Sequence, residues 1–116
     1  VRQFEYPEDD VILLGDLNAS PAQFQKLGRI PGFEPAIDGI PTNTRKNKTY
    51  DNFVFDRQAT REFTGRAGVL DMEQMFQVEM TDALRISDHM PIWAEFTITE
   101  QTGGYTASYD GAQLVR

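Results

Sequence analysis

Three short apolar runs, each abutting a polar cluster that carries an aspartate, constrain this chain more than any other feature. Val11-Ile12-Leu13-Leu14 runs into Gly15-Asp16-Leu17-Asn18. Tyr50-Asp51-Asn52 heads Phe53-Val54-Phe55, and Ser87-Asp88-His89 heads Met90-Pro91-Ile92-Trp93-Ala94-Glu95-Phe96. The first run, aliphatic and β-branched, reads as a buried central strand over 11–15. The second is a strand over 50–55. The third alternates, with Ile92, Ala94, Phe96 and Ile98 on one side and Trp93, Glu95 and Thr97 on the other, which predicts a strand over 90–99 with one buried face. All three are expected in one sheet, with the clusters at strand ends, where α/β proteins place chemistry on a rigid scaffold.

The segments between them are less regular. Ser20-Pro21 has the form of an N-cap followed by Pro at the first helical position, so Ala22 to Leu27 is expected to be a short helix stopped by Gly28. Residues 31–48 are broken by prolines and carry a Thr/Asn/Lys-rich stretch, which predicts an irregular region. Residues 57–71 have weak strand character at Arg61–Thr64 and Val69–Leu70, with glycines that permit a turn or bulge. Met72, Met75, Phe76, Met80 and Leu84 recur near helical spacing and predict one or two helical turns packed as core. Residues 1–10 read as a linker and 100–116 as a flexible tail, leaving 11–99 as the folded unit.

Composition sets outer limits. A chain of 116 residues, 40% hydrophobic with eight Phe, is one small globular domain rather than a disordered one. No apolar run approaches the ~18 residues of a membrane span. With no cysteine, disulfides and Cys-based zinc sites are excluded within the chain. The net charge of -7 argues against a nonspecific nucleic-acid binder, whose affinity comes from Lys and Arg meeting phosphates. Yet six of the eleven basic residues, Arg45, Lys46, Lys48, Arg57, Arg61 and Arg66, fall between 45 and 66. That stretch is either a solvated loop surface or a phosphate-facing one. A phosphate-binding site that uses a bound cation tolerates an acidic balance, because the cation offsets charge where the phosphate sits.

Each cluster has a structural reading beside a chemical one. Asp16-Leu17-Asn18 after a strand is a common Asx-turn or helix cap, but both side chains lie two residues apart at one strand exit and can reach one ligand. Tyr50 at a strand start is an ordinary packing residue. A lone His near a strand is often structural, but the Asp88-His89 pair directly before Pro and an alternating strand favours function. Carboxylates, an amide and an imidazole together suit a phosphoester. Asp binds a hard cation or orients a water, and His paired with Asp stabilises anionic charge or moves a proton.

Gly-Asp-x-Asn, Tyr-Asp-Asn and Ser-Asp-His, in this order, resemble the endonuclease/exonuclease/phosphatase superfamily over residues 10–98. The Tyr-Asp-Asn strand and the Thr-rich loop before it are most similar to its deoxyribonuclease-I-like branch. The resemblance implies an α/β (α+β) fold in which this chain forms half of a four-layer sandwich, with one mostly antiparallel sheet and short helices. It implies a metal-dependent phosphodiester hydrolase, present here as a carboxy-terminal half that lacks the amino-terminal catalytic residues and is inactive alone. Asp16, Asn18, Asp51 and His89 would be catalytic, with Asp51 orienting His89 and Asp88 helping to hold the metal. Thr44, Tyr50, Arg45, Lys46 and Lys48 would contact substrate. The cofactor would be a divalent cation, Mg²⁺ first and Mn²⁺ or Ca²⁺ as alternatives, weakly bound or absent in this half. The partner of the whole protein would be DNA or another phosphodiester. Competing readings are a phosphoinositide phosphatase or sphingomyelinase of the same superfamily, and a non-catalytic interaction module. The sheet face that would meet the other half, with Val11, Leu13, Val54 and Phe96, is expected to be bare and to pair two copies of the chain.

Overall fold

A computed structural model describes residues 10–99. The expected tail at 100–116 and all but the last residue of the expected linker lie outside the described residues. Five strands and two short helices follow in the order β1 (Ile12–Asp16), β2 (Phe33–Pro35), β3 (Asp51–Asp56), β4 (Phe63–Val69), α1 (Met72–Phe76), α2 (Met80–Ile86) and β5 (Ile92–Phe96). The class is as expected: mixed α and β, with antiparallel sheets and few, short helices.

The strands form two sheets rather than one. β1, β3 and β2 make a three-stranded antiparallel sheet with β3 at its centre, and β4 pairs with β5 in a second. The expected place of β5 beside β1 and β3 is corrected by where its backbone hydrogen bonds go. The stretch leading into β5 is taken by the loop at 42–44: Met90 N–H donates to Thr42 O at 2.8 Å, and Thr44 N–H donates to Asp88 O at 2.9 Å. Asn43 and His89 form an isolated antiparallel bridge there. β5 itself then pairs with β4, from Val69 opposite Ile92 to Phe63 opposite Phe96, across a bulge between Phe63 and Ala67. Gly65 sits in that bulge at φ +92°, a conformation open to glycine at little cost.

Three phenylalanines join the sheets. Phe55 is fully buried and lies 5.0 Å from the Phe63 ring, edge-on, and 5.7 Å from Phe96; Phe63 and Phe96 are 5.5 Å apart. Arg57 covers the Phe63 ring at 4.8 Å. A second cluster of Met72, Ala83 and Met90, with Val69 and Val78 against it, seats the helices. The Asp71 carboxylate caps α1 by accepting from Glu73 N–H at 3.0 Å.

Several local expectations shift. The helix expected from Ala22 to Leu27 is two separate 3₁₀ turns, Pro21–Gln23 and Leu27–Arg29, with Phe24 extended between them and Gly28 inside the second. Six residues are below the length at which a helix holds itself without tertiary packing. Met72 is buried, but Met75 and Phe76 are half exposed, because α1 is a little over one turn long and shows the core one side only. Ile98 lies beyond the end of β5 and is 84% exposed rather than inward. Among the described residues β1 is an edge strand, so the reading of this run as a buried central strand does not hold, while Val11 and Leu13 are bare as expected and Leu14 is exposed with them. Val54, expected bare, is buried by the chain itself.

Phe55→Ala is expected to destabilise the chain by roughly 3–5 kcal/mol, since it leaves a cavity where the two sheets meet, with Phe55→Leu costing less. Urea unfolding followed by the fluorescence of Trp93, the single tryptophan, checks it; equal midpoints for Phe55→Ala and the parent would show that this ring does not join the sheets.

Candidate active site

The β1–β3 register builds the site. Asp16 closes β1 and pairs with Asp51, which opens β3, so two carboxylates face each other across one ladder. Leu17 N–H donates to Tyr50 O at 2.8 Å and ties the strand exit to the residue before Asp51. Gly15, at φ +136°, turns the backbone just before Asp16, a conformation that strains any residue with a side chain.

His89 arrives from the helix layer. Its N–H donates to Ser87 Oγ at 3.0 Å, a local turn that aims the ring. Nδ1 lies 2.9 and 3.1 Å from the two oxygens of Asp51, a residue only 8% exposed. With a carboxylate as acceptor, Nδ1 is the protonated nitrogen and donates. Nε2 faces outward, 3.7 Å from Asp16 Oδ2 and 4.0 Å from Asp88 Oδ1. The hydrogen bond that Nδ1 donates to Asp51 is the main cause that raises the His89 pKa above the usual 6.5; partial burial opposes it, and the charges of Asp51, Asp16 and Asp88 add to the rise. The Tyr50 ring stands 5.9 Å from the imidazole.

Asp16, Asp51, Asp88 and His89 therefore come together. Asp16 also answers to the structural reading, since its Oδ1 accepts from Asn18 N–H at 2.9 Å in an Asx-turn while Oδ2 faces His89. Asn18 sits beside them in left-handed backbone, φ 55°, and is exposed. The donor set fits a hard divalent cation. One donor atom each from Asp16, Asp51 and His89 lie within 4.8 Å of one another. Asp51 is committed to Nδ1, which leaves Asp16 and the exposed Asp88 as the carboxylates open to an ion, the small number of protein ligands that Mg²⁺ commonly takes beside water and phosphate.

The expected substrate residues divide. Thr44 is buried and its hydroxyl donates to Ser87 O at 2.7 Å, so it holds the loop rather than facing solvent. Lys46 is paired with Glu73 and with Asp71 at 3.2 Å, which raises its pKa. Arg45 and Lys48 are exposed. An open groove of about 610 Å³ is lined by Ser20, Gln23, Lys46, Lys48 and Tyr50, and through Tyr50 it adjoins His89.

The sequence reading gave no structural role to Asn43 and Asn52, two buried amides that hold this end together. The buried side chains among the described residues include six apolar and six polar ones, so hydrogen bonds organise the interior here as much as apolar packing does. Asn52 is fully buried and spans Ile37, accepting from its N–H at 2.9 Å and donating to its carbonyl at 2.7 Å. Asn43 Oδ1 accepts from the N–H groups of Asn47 and Lys48, both at 2.9 Å. The one signal for Asn52 is an amide inside a strand run, where Asn is depleted.

The chain matches no protein-family model and no solved structure. It is similar to curated proteins of one kind. It is 35% identical over 102 residues to deoxyribonuclease-1-like 1 of Sus scrofa, covering 79% of this chain and 32% of that protein. It is 37% identical over 101 residues to deoxyribonuclease-1-like 1 of Homo sapiens, covering 78% and 33%. For the protein of that name from Rattus norvegicus the figures are 35% over 106 residues, 83% and 34%. The chain thus spans about a third of the length of the curated relatives it matches, and over that third it is similar to them.

The raised pKa fixes a pH dependence. A group whose folded pKa lies above its unfolded value stabilises the fold fully below the unfolded value, here about 6.5, and loses that contribution as pH rises through the folded pKa. NMR titration of His89 is expected to give a midpoint above 6.5 that Asp51→Asn moves down. The thermal midpoint of the parent relative to His89→Gln is expected to fall across the same window. A His89 midpoint at or below 6.5 in the parent would show that the Asp51 contact is not formed.

Proposed function

We propose that this chain carries the Asp–His part of a phosphodiester-hydrolysing site, acting on DNA with a divalent cation. The observation that carries the reading is the relay of carboxylate, imidazole and carboxylate: Asp51 on Nδ1 at 2.9 Å and Asp16 3.7 Å from Nε2, at adjoining strand ends. The similarity to deoxyribonuclease-1-like 1 supports it.

In this mechanism Asp16 Oδ2 orients a water for in-line attack on phosphorus and takes its proton. A new P–O bond forms as the bond to the leaving oxygen breaks, and the leaving oxygen takes a proton from solvent. His89, charged through its Asp51 partner, donates from Nε2 to a non-bridging oxygen, and the Asn18 amide donates to another. A divalent cation held by Asp88, Mg²⁺ first with Mn²⁺ or Ca²⁺ as alternatives, would supply Lewis-acid stabilisation of the phosphoryl oxygens. The groove at Tyr50, with Lys48 and Ser20, gives the substrate chain a path away from the reacting phosphate. Arg45 and Lys48 offer exposed cations, whereas Lys46 and Thr44 serve the scaffold. Carboxylates outnumber cations at the reacting atoms, so phosphate binding there depends on the metal and on His89 being charged.

In a protein that contains this chain and has the length of its relatives, His89→Ala and Asp16→Ala are each expected to lower Mg²⁺-dependent plasmid nicking by ~10²–10⁴-fold, the usual weight of one acid–base or charge-stabilising group. The 116-residue chain alone is expected to stay near background. The same preparation is offered phosphatidylinositol phosphates and sphingomyelin. Turnover of lipid in place of DNA would move the reading to a lipid phosphoesterase, and nicking indifferent to both substitutions would remove His89 and Asp16 from the chemistry.

A further inference from the structure

Thr42 lies in the Thr-rich loop, where a threonine invites reading as a phosphate contact. Its surroundings say otherwise. It is fully buried, at 0% exposure. Its Oγ1 accepts two backbone donors, Tyr50 N–H at 2.9 Å and Asp51 N–H at 3.1 Å. A hydroxyl has two acceptor lone pairs, so both are used. Its carbonyl accepts from Met90 N–H and its own N–H donates to Lys48 O, each at 2.8 Å. One residue therefore grips the backbone that presents Asp51 and the backbone immediately after His89. Asp51 opens β3 while His89 lies on the run between α2 and β5, and among the described residues no strand pairing between β3 and β5 sets their distance.

We infer that Thr42 is the positioning residue of the Asp51–His89 pair: its hydroxyl sets Asp51, its carbonyl sets the run through His89 to Met90, and the spacing between the two polar ends of one side chain and its peptide fixes the pair's separation. This deepens the proposed reading of the site and rests on Asp51 and His89 being its working pair. Thr42 touches neither phosphate nor cation in this role. A valine has the same shape but no acceptor, so it leaves two buried N–H groups unpaired, whereas a serine keeps the acceptor.

The test needs no catalytic activity, so it stands or falls apart from the nuclease reading. The proton on His89 Nδ1, held by a carboxylate, gives a downfield signal in the NMR spectrum. Asp51→Asn serves as the control that removes the carboxylate charge. Thr42→Val is expected to shift that signal upfield and to weaken the hydrogen-exchange protection of Asp51 N–H by roughly tenfold, the weight of one net hydrogen bond. Thr42→Ser is expected to restore both. A downfield signal unchanged in Thr42→Val, or lost equally in valine and serine, overturns the inference. Should Thr42→Val not fold, the parent chain decides. Protected Tyr50 and Asp51 amides, with Thr42 unmoved by millimolar inorganic phosphate, support the role; amides that exchange like those of an open loop, or a phosphate-induced shift centred on Thr42, overturn it.

Discussion

Two carboxylates face each other at the end of the β1–β3 ladder, and the imidazole of His89 is what makes that arrangement tolerable. Asp16 and Asp51 are register partners, with donor atoms within 4.8 Å of each other and of His89. At that distance two charges repel by roughly 3–4 kcal/mol at an effective dielectric of ~20, less where water reaches the half-exposed Asp16. Like charges directly opposite in a sheet are destabilising for this reason. The His89 ring stands between them, and its raised pKa is the sign that both carboxylates favour a proton on it. The raised pKa of His89 and the placement of Asp51 are therefore two views of one balance.

Rigidity at this end comes from polar contacts, and at the other end from rings. Phe55, Phe63 and Phe96 close the distal half, where the sheets meet through apolar contact. Around the site, Thr42, Asn43, Thr44 and Asn52 satisfy loop and strand backbone in the interior. A buried polar group without a partner is costly, so such a network admits few alternative arrangements. That suits a site whose donors must keep their spacing. Lys46 adds a tie from the same loop to Asp71, the N-cap of α1, and to Glu73 in the first turn of that helix, whose Met72 packs against Met90.

The site was legible where the signal was a residue type at a strand end. Asp16, Asp51, Asp88 and His89 stand in three separate stretches, yet each marks the edge of an apolar run, and the structure brings them together. Less legible were the residues that work through backbone. Thr44 and Lys46 stand in a Thr/Lys-rich loop of the kind that meets phosphate, and only the structure gives their partners, Ser87 O for the one and Asp71 and Glu73 for the other. The short helix expected at 22–27 failed for a different reason: capping residues mark a start, but nothing in the local sequence supplies the packing that would carry six residues past one turn.

By itself the sequence determined three of the strands, β1, β3 and β5, and the polar clusters at their ends, because apolar runs and turn residues act over a few neighbours, whereas β2 and β4 carry too weak a local pattern to be read that way. Only the tertiary structure decided which strands pair. β5 alternates as a half-buried strand should, but alternation does not name a partner, and the 42–44 loop claims the hydrogen bonds on which a place beside β3 would depend. The tertiary structure likewise decided that the β1 run is exposed and that Val54 is not. Burial is a property of what lies across the sheet, and no period along one strand records it.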